Sequence, residues 1–334
     1  MKKVISGWFL CFVFFPVFAQ DGFDQQPVRT ATQKFIHSLS TAQQMVCVRP
    51  WADTNRLRWS NLPLGQHHRD GLRLDQMDDP QRILVHELLR TILSEQGYLK
   101  ALFIMQYDED TRNRLTSAKL PIADWYGQEK YFTWIFGRPD NQEKWGLKFE
   151  GHHLSINMTF STRGVSCTPL FTGINPGLSI KGITAGKYVM YQENEAGKNL
   201  FLSLTSAQRL KAWVDTLPFT IDVRTQTGKE AHILDEKGLP WSELNDRQKL
   251  FVDQIIRAWA DNFQPGINEE KRASLTRSFH QARLVWMGTS SVDQLHYYAL
   301  ISPEWVIEFT NRDQGLQHFH TLWRMMTEDF GAKL

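Results

Sequence analysis

Residues 145–160, WGLKFEGHHLSINMTF, contain the alternation that decides the fold. In their second half, apolar Leu154, Ile156 and Met158 are separated by single polar residues. Successive side chains of a β-strand point to opposite faces of its sheet. The segment therefore predicts a hairpin whose second strand has one apolar and one polar face.

A second stretch, HYYALISPEWVIEFT (296–310), repeats this pattern. In each copy a helical region comes first, and a glycine (Gly137 or Gly288) lies eight residues before the hairpin. The match predicts a diverged duplication of a helix–strand–hairpin unit, over about residues 74–160 and 244–310. Two unrelated amphipathic hairpins can also align this well, so both explanations stay open.

Helix starts are marked by a recurring motif, in which Ser, Thr, Asn or Asp is followed three residues later by Gln. This is the capping box of a helix N-terminus. It occurs in LSTAQQ (39–44), LTSAQR (204–209), LNDRQK (244–249) and the variant LDQMDDPQR (74–82). Apolar residues recur at helical spacing from Gln81 to about Asp110, and Gly97 is predicted to divide this stretch into two helices.

The segment between the two hairpins has weaker patterns. TPLFTGINPG (168–177) is rich in turn residues, whereas GKYVMYQ (186–192) and NLFLSL (199–204) are typical of strands. Together the patterns predict an α+β fold, with helices packed on an antiparallel sheet in a single globular domain over residues 20–334.

The N-terminus has the organisation of a secretory signal. Two lysines precede an apolar run, and Val17 and Ala19 place small residues before a cleavage point at Gln20. The run is shorter than the about 20 residues that span a bilayer. We therefore expect residues 1–19 to be removed and the protein to be periplasmic or secreted.

The charge balance argues against nucleic acid as a partner. The chain has 38 basic and 36 acidic residues, and loss of the signal removes two lysines. A balanced chain without a dense basic run has no electrostatic reason to bind nucleic acid. No later apolar run could span a membrane. The expected partner is a small-molecule substrate or ligand. Cys47 and Cys167 remain, either as one disulfide or as two buried thiols.

Histidines mark the candidate site, because five of the eleven lie in three short pieces: His152-His153, His296 and His318-Phe319-His320. On a strand, His318 and His320 project from one face and can bind the same ion. Glu308 lies on the polar face of the preceding strand, and a short turn would return the HxH alongside it. His153 shares the polar face of its own strand, whereas His152 is expected to support it from the apolar face.

These residues predict a divalent metal site of zinc, copper or iron, since imidazoles with one carboxylate suit zinc or iron and several imidazoles suit copper or zinc. The predicted metal ligands are His318, His320, Glu308 and His153. His153 or His296 would alternatively act as acid or base, and Arg324 would bind an anionic group of the substrate.

Three functions are compatible with this pattern. The first is an exported metal-dependent enzyme, a hydrolase or an oxidoreductase. The second is an exported protein that binds metal or ligand without turnover, and the third is a structural or partner-binding protein without metal. The chain contains no GxSxG, GxxxxGK[ST] or GxGxxG motif, so serine-hydrolase chemistry and nucleotide use have no positive support.

The chain resembles the family catalogued as domain of unknown function 3500, which consists mostly of exported proteins with a GHH motif. The resemblance is carried by WSNLP (59–63), SEQGY (94–98), FEGHHLSIN (149–157), TPLFTGINP (168–176), IEFTN (307–311) and HFHTLWR (318–324). It implies no activity. The family usually has an acidic residue at the position of Thr310, so this chain lacks one carboxylate that could act as ligand or base.

Overall fold

Four pairs of consecutive helices pack on one large sheet in the computed structural model, which describes residues 22–140, 144–215, 222–226, 237–289, 291, 294–313 and 315–334. This arrangement confirms the α+β class. The predicted signal, residues 1–19, lies outside the described residues. Among the described residues, no helix has the length and apolar character needed to cross a bilayer.

Four of the eight described helices begin where the capping motifs predict. The bounds of the eight are α1 Gln26–Ser38, α2 Thr41–Cys47, α3 Asp79–Ile92, α4 Glu95–Ser117, α5 Tyr191–Ser203, α6 Ser206–Ala212, α7 Asp246–Ala260 and α8 Pro265–Arg277. Complete capping boxes open α2, α3, α6 and α7, with Ser40, Asp78, Thr205 and Asn245 as the caps. The local motif is therefore confirmed at all four positions.

The break between α3 and α4 lies before Gly97, not at it. The backbone is extended at Leu93, and the Ser94 side chain caps α4 by accepting from the Gly97 N–H. Gly97 itself lies in the first turn of α4, where an added Cβ would lie 2.0 Å from the carbonyl oxygen of Asn262. The glycine is thus required for a close approach between two helix corners.

The thirteen strands of the described chain form one mixed sheet. Their bounds are β1 Val48–Arg49, β2 Leu72–Arg73, β3 Phe132–Phe136, β4 Trp145–Gly151, β5 Leu154–Ser161, β6 Gly164–Ser166, β7 Leu170–Ile174, β8 Trp213–Asp215, β9 Leu239–Pro240, β10 Arg283–Gly288, β11 His296–Ile301, β12 Trp305–Asn311 and β13 Phe319–Met325. The order is β1-β3-β4-β5-β7-β13-β12-β11-β10-β8, and β2, β6 and β9 are short flanking strands. The interior is antiparallel as predicted, but β1 runs parallel to β3 and β8 runs parallel to β10.

The order of strands repeats about the centre of the sheet. Each half has an edge strand parallel to its neighbour, followed by an antiparallel meander that ends at the β7–β13 pair. A reciprocal amide pair joins Gln43 of α2 to Gln81 of α3, and Gln208 of α6 is joined to Gln248 of α7 in the same way. This repetition supports the proposed duplication and extends it to α1–α2 and α5–α6.

The two faces of the sheet are buried by different parts of the chain. Leu154 and Ile156 belong to the same apolar core as residues of all eight helices. On the other face, the segment 51–71 covers a buried polar network in which Arg69 Nε lies 2.8 Å from Glu150 Oε1. Ser155 Oγ donates to the second oxygen of Glu150 at 2.9 Å. Both faces of the opening hairpin are therefore interior.

The two cysteines do not pair. Cys47 and Cys167 are both buried free thiols, and burial raises the pKa of each to about 12. Of the two alternatives left open by the sequence, the structure has the buried thiols.

Candidate metal centre

The β4–β5 turn places the first histidine of the candidate site. His152 and His153 are the two turn residues, and His153 has a φ of 60°, which a residue with a side chain adopts rarely. Its N–H donates to the Asn61 carbonyl at 3.2 Å, and its carbonyl accepts from the Gly173 N–H at 2.7 Å. The imidazole is therefore aimed by a fixed turn, not by strand alternation.

The other two histidines come from the start of β13. His318 directly precedes the strand and His320 is its second residue. His320 is paired with Gly173 on β7 and with Thr310 on β12. Strand β13 runs antiparallel to β12 and brings the HxH back alongside it, as the sequence predicts. Position 310, where an acid is usual in the resembled family, lies directly beside His320.

Three imidazole nitrogens converge at this point. His153 Nε2 lies 3.1 Å from both His318 Nε2 and His320 Nε2, and the last two are 3.0 Å apart. Metal–nitrogen bonds of about 2.0–2.1 Å place the nitrogens of a tetrahedral site about 3.3–3.4 Å apart. The three atoms thus form one face of a coordination sphere after a movement of a few tenths of an ångström.

A glycine makes this convergence possible. An added Cβ at Gly173 would lie 2.9 Å from Cδ2 of His153 and 2.9 Å from Cδ2 of His320. Contacts below 3.0 Å between such atoms are not tolerated without movement, so any side chain at this position would push the two rings apart. Gly173 is therefore part of the site through the space it leaves.

Carboxylates lie beside the Nδ1 atoms of His320 and His318. His320 Nδ1 lies 2.7 Å from Asp222 Oδ1, and His318 Nδ1 lies 3.4 Å from Asp313 Oδ2. A carboxylate at Nδ1 holds the proton there and leaves the lone pair on Nε2, the arrangement of metal-binding histidines. The other oxygen of Asp222 contacts Arg312 Nη1 at 3.3 Å.

The electrostatics keep all three imidazoles neutral. Burial lowers the pKa of His153 well below its usual value, and the neighbouring histidines and Arg312 lower it further. Burial also lowers the pKa of His318 to about 2 and that of His320, although Asp222 opposes the shift at His320. Burial alone would raise the pKa of Asp222, but its bond to His320 and the Arg312 charge lower it to about 2. Neutral imidazole is the form that binds metal ions.

His152 supports His153 by stacking. The two rings lie 3.7 Å apart between centroids at an interplanar angle of 24°. His152 Nδ1 lies 2.7 Å from Asp108 Oδ1, and Tyr131 Oη donates to the other oxygen of Asp108 at 2.9 Å. His152 therefore contacts His153 directly. It lies in the turn and lines the cavity, and not on the apolar face of the strand where the sequence analysis expected it.

A cavity of about 480 Å³ opens onto the three histidines. Its wall includes apolar side chains from α4 and the segment after it, such as Ile104, Leu115 and Ile122. Two guanidinium groups, those of Arg114 and Arg312, also line it. The volume is in the range of small-molecule sites, and the lining is more polar than apolar.

The family match covers this whole arrangement. A model described as protein of unknown function (DUF3500) matches residues 21–332, nearly the whole chain. The chain belongs to the DUF3500 family. This confirms the resemblance carried by the GHH and HxH motifs, which in this DUF3500 protein meet at one point. No curated protein and no solved structure matches the chain.

Glu308 of the DUF3500 protein does not join the histidines. It lies on the same face of the sheet as His320 but two residues further along the strand, opposite Leu322. Its carboxylate accepts from the backbone N–H groups of Arg224 and Thr225, the Thr225 hydroxyl and the Tyr297 hydroxyl. The predicted ligand is instead an anchor for the segment that carries Asp222, and its burial raises its pKa.

His296 also lies away from the cluster. Its ring stacks on Trp286 and Phe309 in the helix-facing core, with centroids 5.0 and 5.6 Å away, and its Nδ1 lies 2.9 Å from the Gln294 carbonyl. It is fully buried on the face of the sheet opposite His320. The alternation of β11 therefore removes this residue from the predicted catalytic set.

Arg324 is placed too far along β13 to bind a ligand in the cavity. It lies four residues beyond His320, about 13 Å at the usual rise of a strand. Its guanidinium contacts Asp329 and the Thr225 carbonyl. It therefore fixes the C-terminal turn and the segment 222–226.

Proposed function

We propose that this DUF3500 protein is an exported metal-dependent hydrolase whose ion is bound by His153, His318 and His320. The observation that carries the proposal is the convergence of three Nε2 atoms within 3.0–3.1 Å at the base of a 480 Å³ cavity. Export rests on the sequence of residues 1–19.

The ligand set favours zinc. Zinc sites with three protein ligands keep a fourth position for water or substrate, whereas structural zinc sites close with four. Within the described residues, the convergent group has three members. The two-histidine, one-carboxylate set of iron oxygenases would need Glu308, which is bonded elsewhere, so hydrolysis is favoured over oxidation.

The surrounding residues divide the work. His153, His318 and His320 would hold the zinc ion as neutral imidazoles, and the ion would supply a Lewis acid that lowers the pKa of water to about 7. Asp222 would keep the tautomer of His320, and His152, held by Asp108, lines the same cavity. A histidine in this position can accept a hydrogen bond from the nucleophile or substrate.

The proposal is tested by elemental analysis of protein purified without chelator or an affinity histidine tag. We expect about one ion per chain in the parent, and its loss in the His318→Ala/His320→Ala double variant. His280→Ala is the matched control, because His280 is exposed and away from the cluster. Circular dichroism checks the fold of each variant. A parent that stays metal-free after incubation with zinc, copper and iron would refute the proposal.

A further inference from the structure

We infer that the cavity binds an anionic small molecule, whose carboxylate or phosphoryl group lies between the three histidines and the guanidinium of Arg312. The inference rests on the proposed metal site and adds a substrate class to it. It differs from the sequence prediction, which gave the anion-binding role to Arg324.

Arg312 is fixed beside the histidines by its backbone. Its N–H donates to the His318 carbonyl at 2.8 Å, immediately after the end of β12. Arg312 lines the same cavity as the three histidines, and its Nη1 lies 3.3 Å from Oδ2 of Asp222, whose Oδ1 lies 2.7 Å from His320 Nδ1. A ligand that reaches the three nitrogens therefore comes within reach of Arg312.

The guanidinium retains an edge for a ligand. Nη1 contacts Asp222 at 3.3 Å, while 29% of the Arg312 side chain is exposed, on the cavity. A guanidinium has five N–H donors in a planar fork that matches two oxygens of a carboxylate or phosphate. One edge is thus occupied by Asp222 and the other can bind an anion.

The charge at the cavity wall also favours an anion. The charged side chains of its described lining are Asp108, Arg114 and Arg312. Both oxygens of Asp108 are already bonded, to His152 Nδ1 and to the Tyr131 hydroxyl, so the lining carries two positive charges against one bonded negative charge. Three neutral imidazoles would leave the two positive charges of a zinc ion uncompensated, which adds to the attraction.

One part of the remaining wall is apolar and suits an apolar body behind the anionic group, while Asn61, Gln66 and Asn175 make another part polar. Ile104, Leu115 and Ile122 line the cavity together with the ring of Tyr126. Benzoate, phenylphosphonate and benzamide therefore serve as probes, because they share the aromatic body and differ in the charged group.

Calorimetric titration of the zinc-loaded protein tests the inference. We expect benzoate or phenylphosphonate to bind at least tenfold more tightly than neutral benzamide, and the stronger of the two identifies the carboxylate or the phosphoryl class. The preference should fall about tenfold in Arg312→Gln and be partly kept in Arg312→Lys. Arg257→Gln is the control, since Arg257 is an exposed residue paired with Asp253.

Equal binding of benzamide, absence of binding by every probe, or an unchanged preference in Arg312→Gln would each overturn the inference. Zinc content is measured in every variant, and the titrations are repeated on metal-free protein. A chain that binds no metal but keeps an Arg312-dependent preference for anions would refute the metal site alone. A zinc-loaded chain without the preference would refute the anion site alone.

Discussion

At the residue scale, the candidate site depends on two backbone positions as much as on its histidines. His153 has a left-handed backbone, a conformation that costs a non-glycine residue about 1–3 kcal/mol and often occurs at functional sites. Gly173 has no side chain and so leaves the space that the rings of His153 and His320 occupy. Neither feature can be recognised from the residue types alone, because the sequence around each is typical of an ordinary turn or strand.

Replacement of Gly173 by alanine should therefore weaken metal binding while the chain still folds. The added methyl group would displace His153 and His320 by several tenths of an ångström, and we expect zinc affinity to fall by about 10- to 100-fold, the range seen when groups that orient ligands are lost. Competition with a chromophoric chelator measures this. Gly22→Ala is the control, since an added Cβ there meets nothing within 4 Å. Unchanged affinity in Gly173→Ala would show that the rings tolerate the displacement.

At the scale of elements, a buried carboxylate on β12 positions a carboxylate in another segment. Glu308 accepts four hydrogen bonds, three of them from Arg224 and Thr225, and Asp222 lies two residues before Arg224. Asp222 in turn holds the His320 ring. The position of β12 therefore determines, through the segment 222–226, where Asp222 lies beside His320.

Glu308→Gln should lower zinc affinity through Asp222. The amide would present its NH2 to backbone N–H donors, and the unmet bonds should also lower the free energy of unfolding by about 1–3 kcal/mol. Asp222→Asn alone should reduce zinc affinity by about 10- to 100-fold. Because both changes act on one path, the double variant should lose little more than Asp222→Asn does. Additive losses would mean that Glu308 acts independently of the segment.

The helix starts could be predicted because a capping box is local, with the cap and its Gln three residues apart. Strand β7 could not, since prolines and glycines surround its five residues and its central place comes from pairing with β5 and β13. Helix α5 has strand-like residues such as Tyr191 and Phe201. Its form is decided by packing, for example the contact of Gly197 with Tyr298, where an added Cβ would lie 2.1 Å away.

The same difference between local patterns and long-range pairing explains which residues of the candidate site could be predicted. The HxH could be found because strand alternation brings two histidines together within three residues. Glu308 has the right face but the wrong pair along the strand, and register between strands is set by the whole sheet. Asp222 is 98 residues from His320, and no local pattern connects them.

At the scale of the whole molecule, the sequence predicts export and the described chain is compatible with function after it. The thiols of Cys47 and Cys167 are both buried, so an oxidising compartment has no exposed thiol to act on among the described residues. The proposed metal ligands are histidines, which do not form disulfides.

Export with cleavage predicts a defined mature N-terminus. Expressed with its full sequence in a bacterial host, the protein should be recovered outside the cytoplasm, and intact-mass spectrometry should show a chain that begins at Gln20. Ala19→Arg should block processing and leave the longer chain, because the cleavage site requires a small residue. A cytoplasmic, full-length parent would contradict the prediction.

In the candidate centre, His153 precedes His318 by 165 residues and His320 by 167 residues along the chain. An ion that joins them would act as a late cross-link, and closing a loop of this length removes several kcal/mol of chain entropy from the unfolded state. A chain whose synthesis stopped before His318 could form most of its helices yet would lack two of three ligands. An ion held by all three histidines would thus bind only after synthesis has passed His320, and it would distinguish such chains from ones that stop before His318.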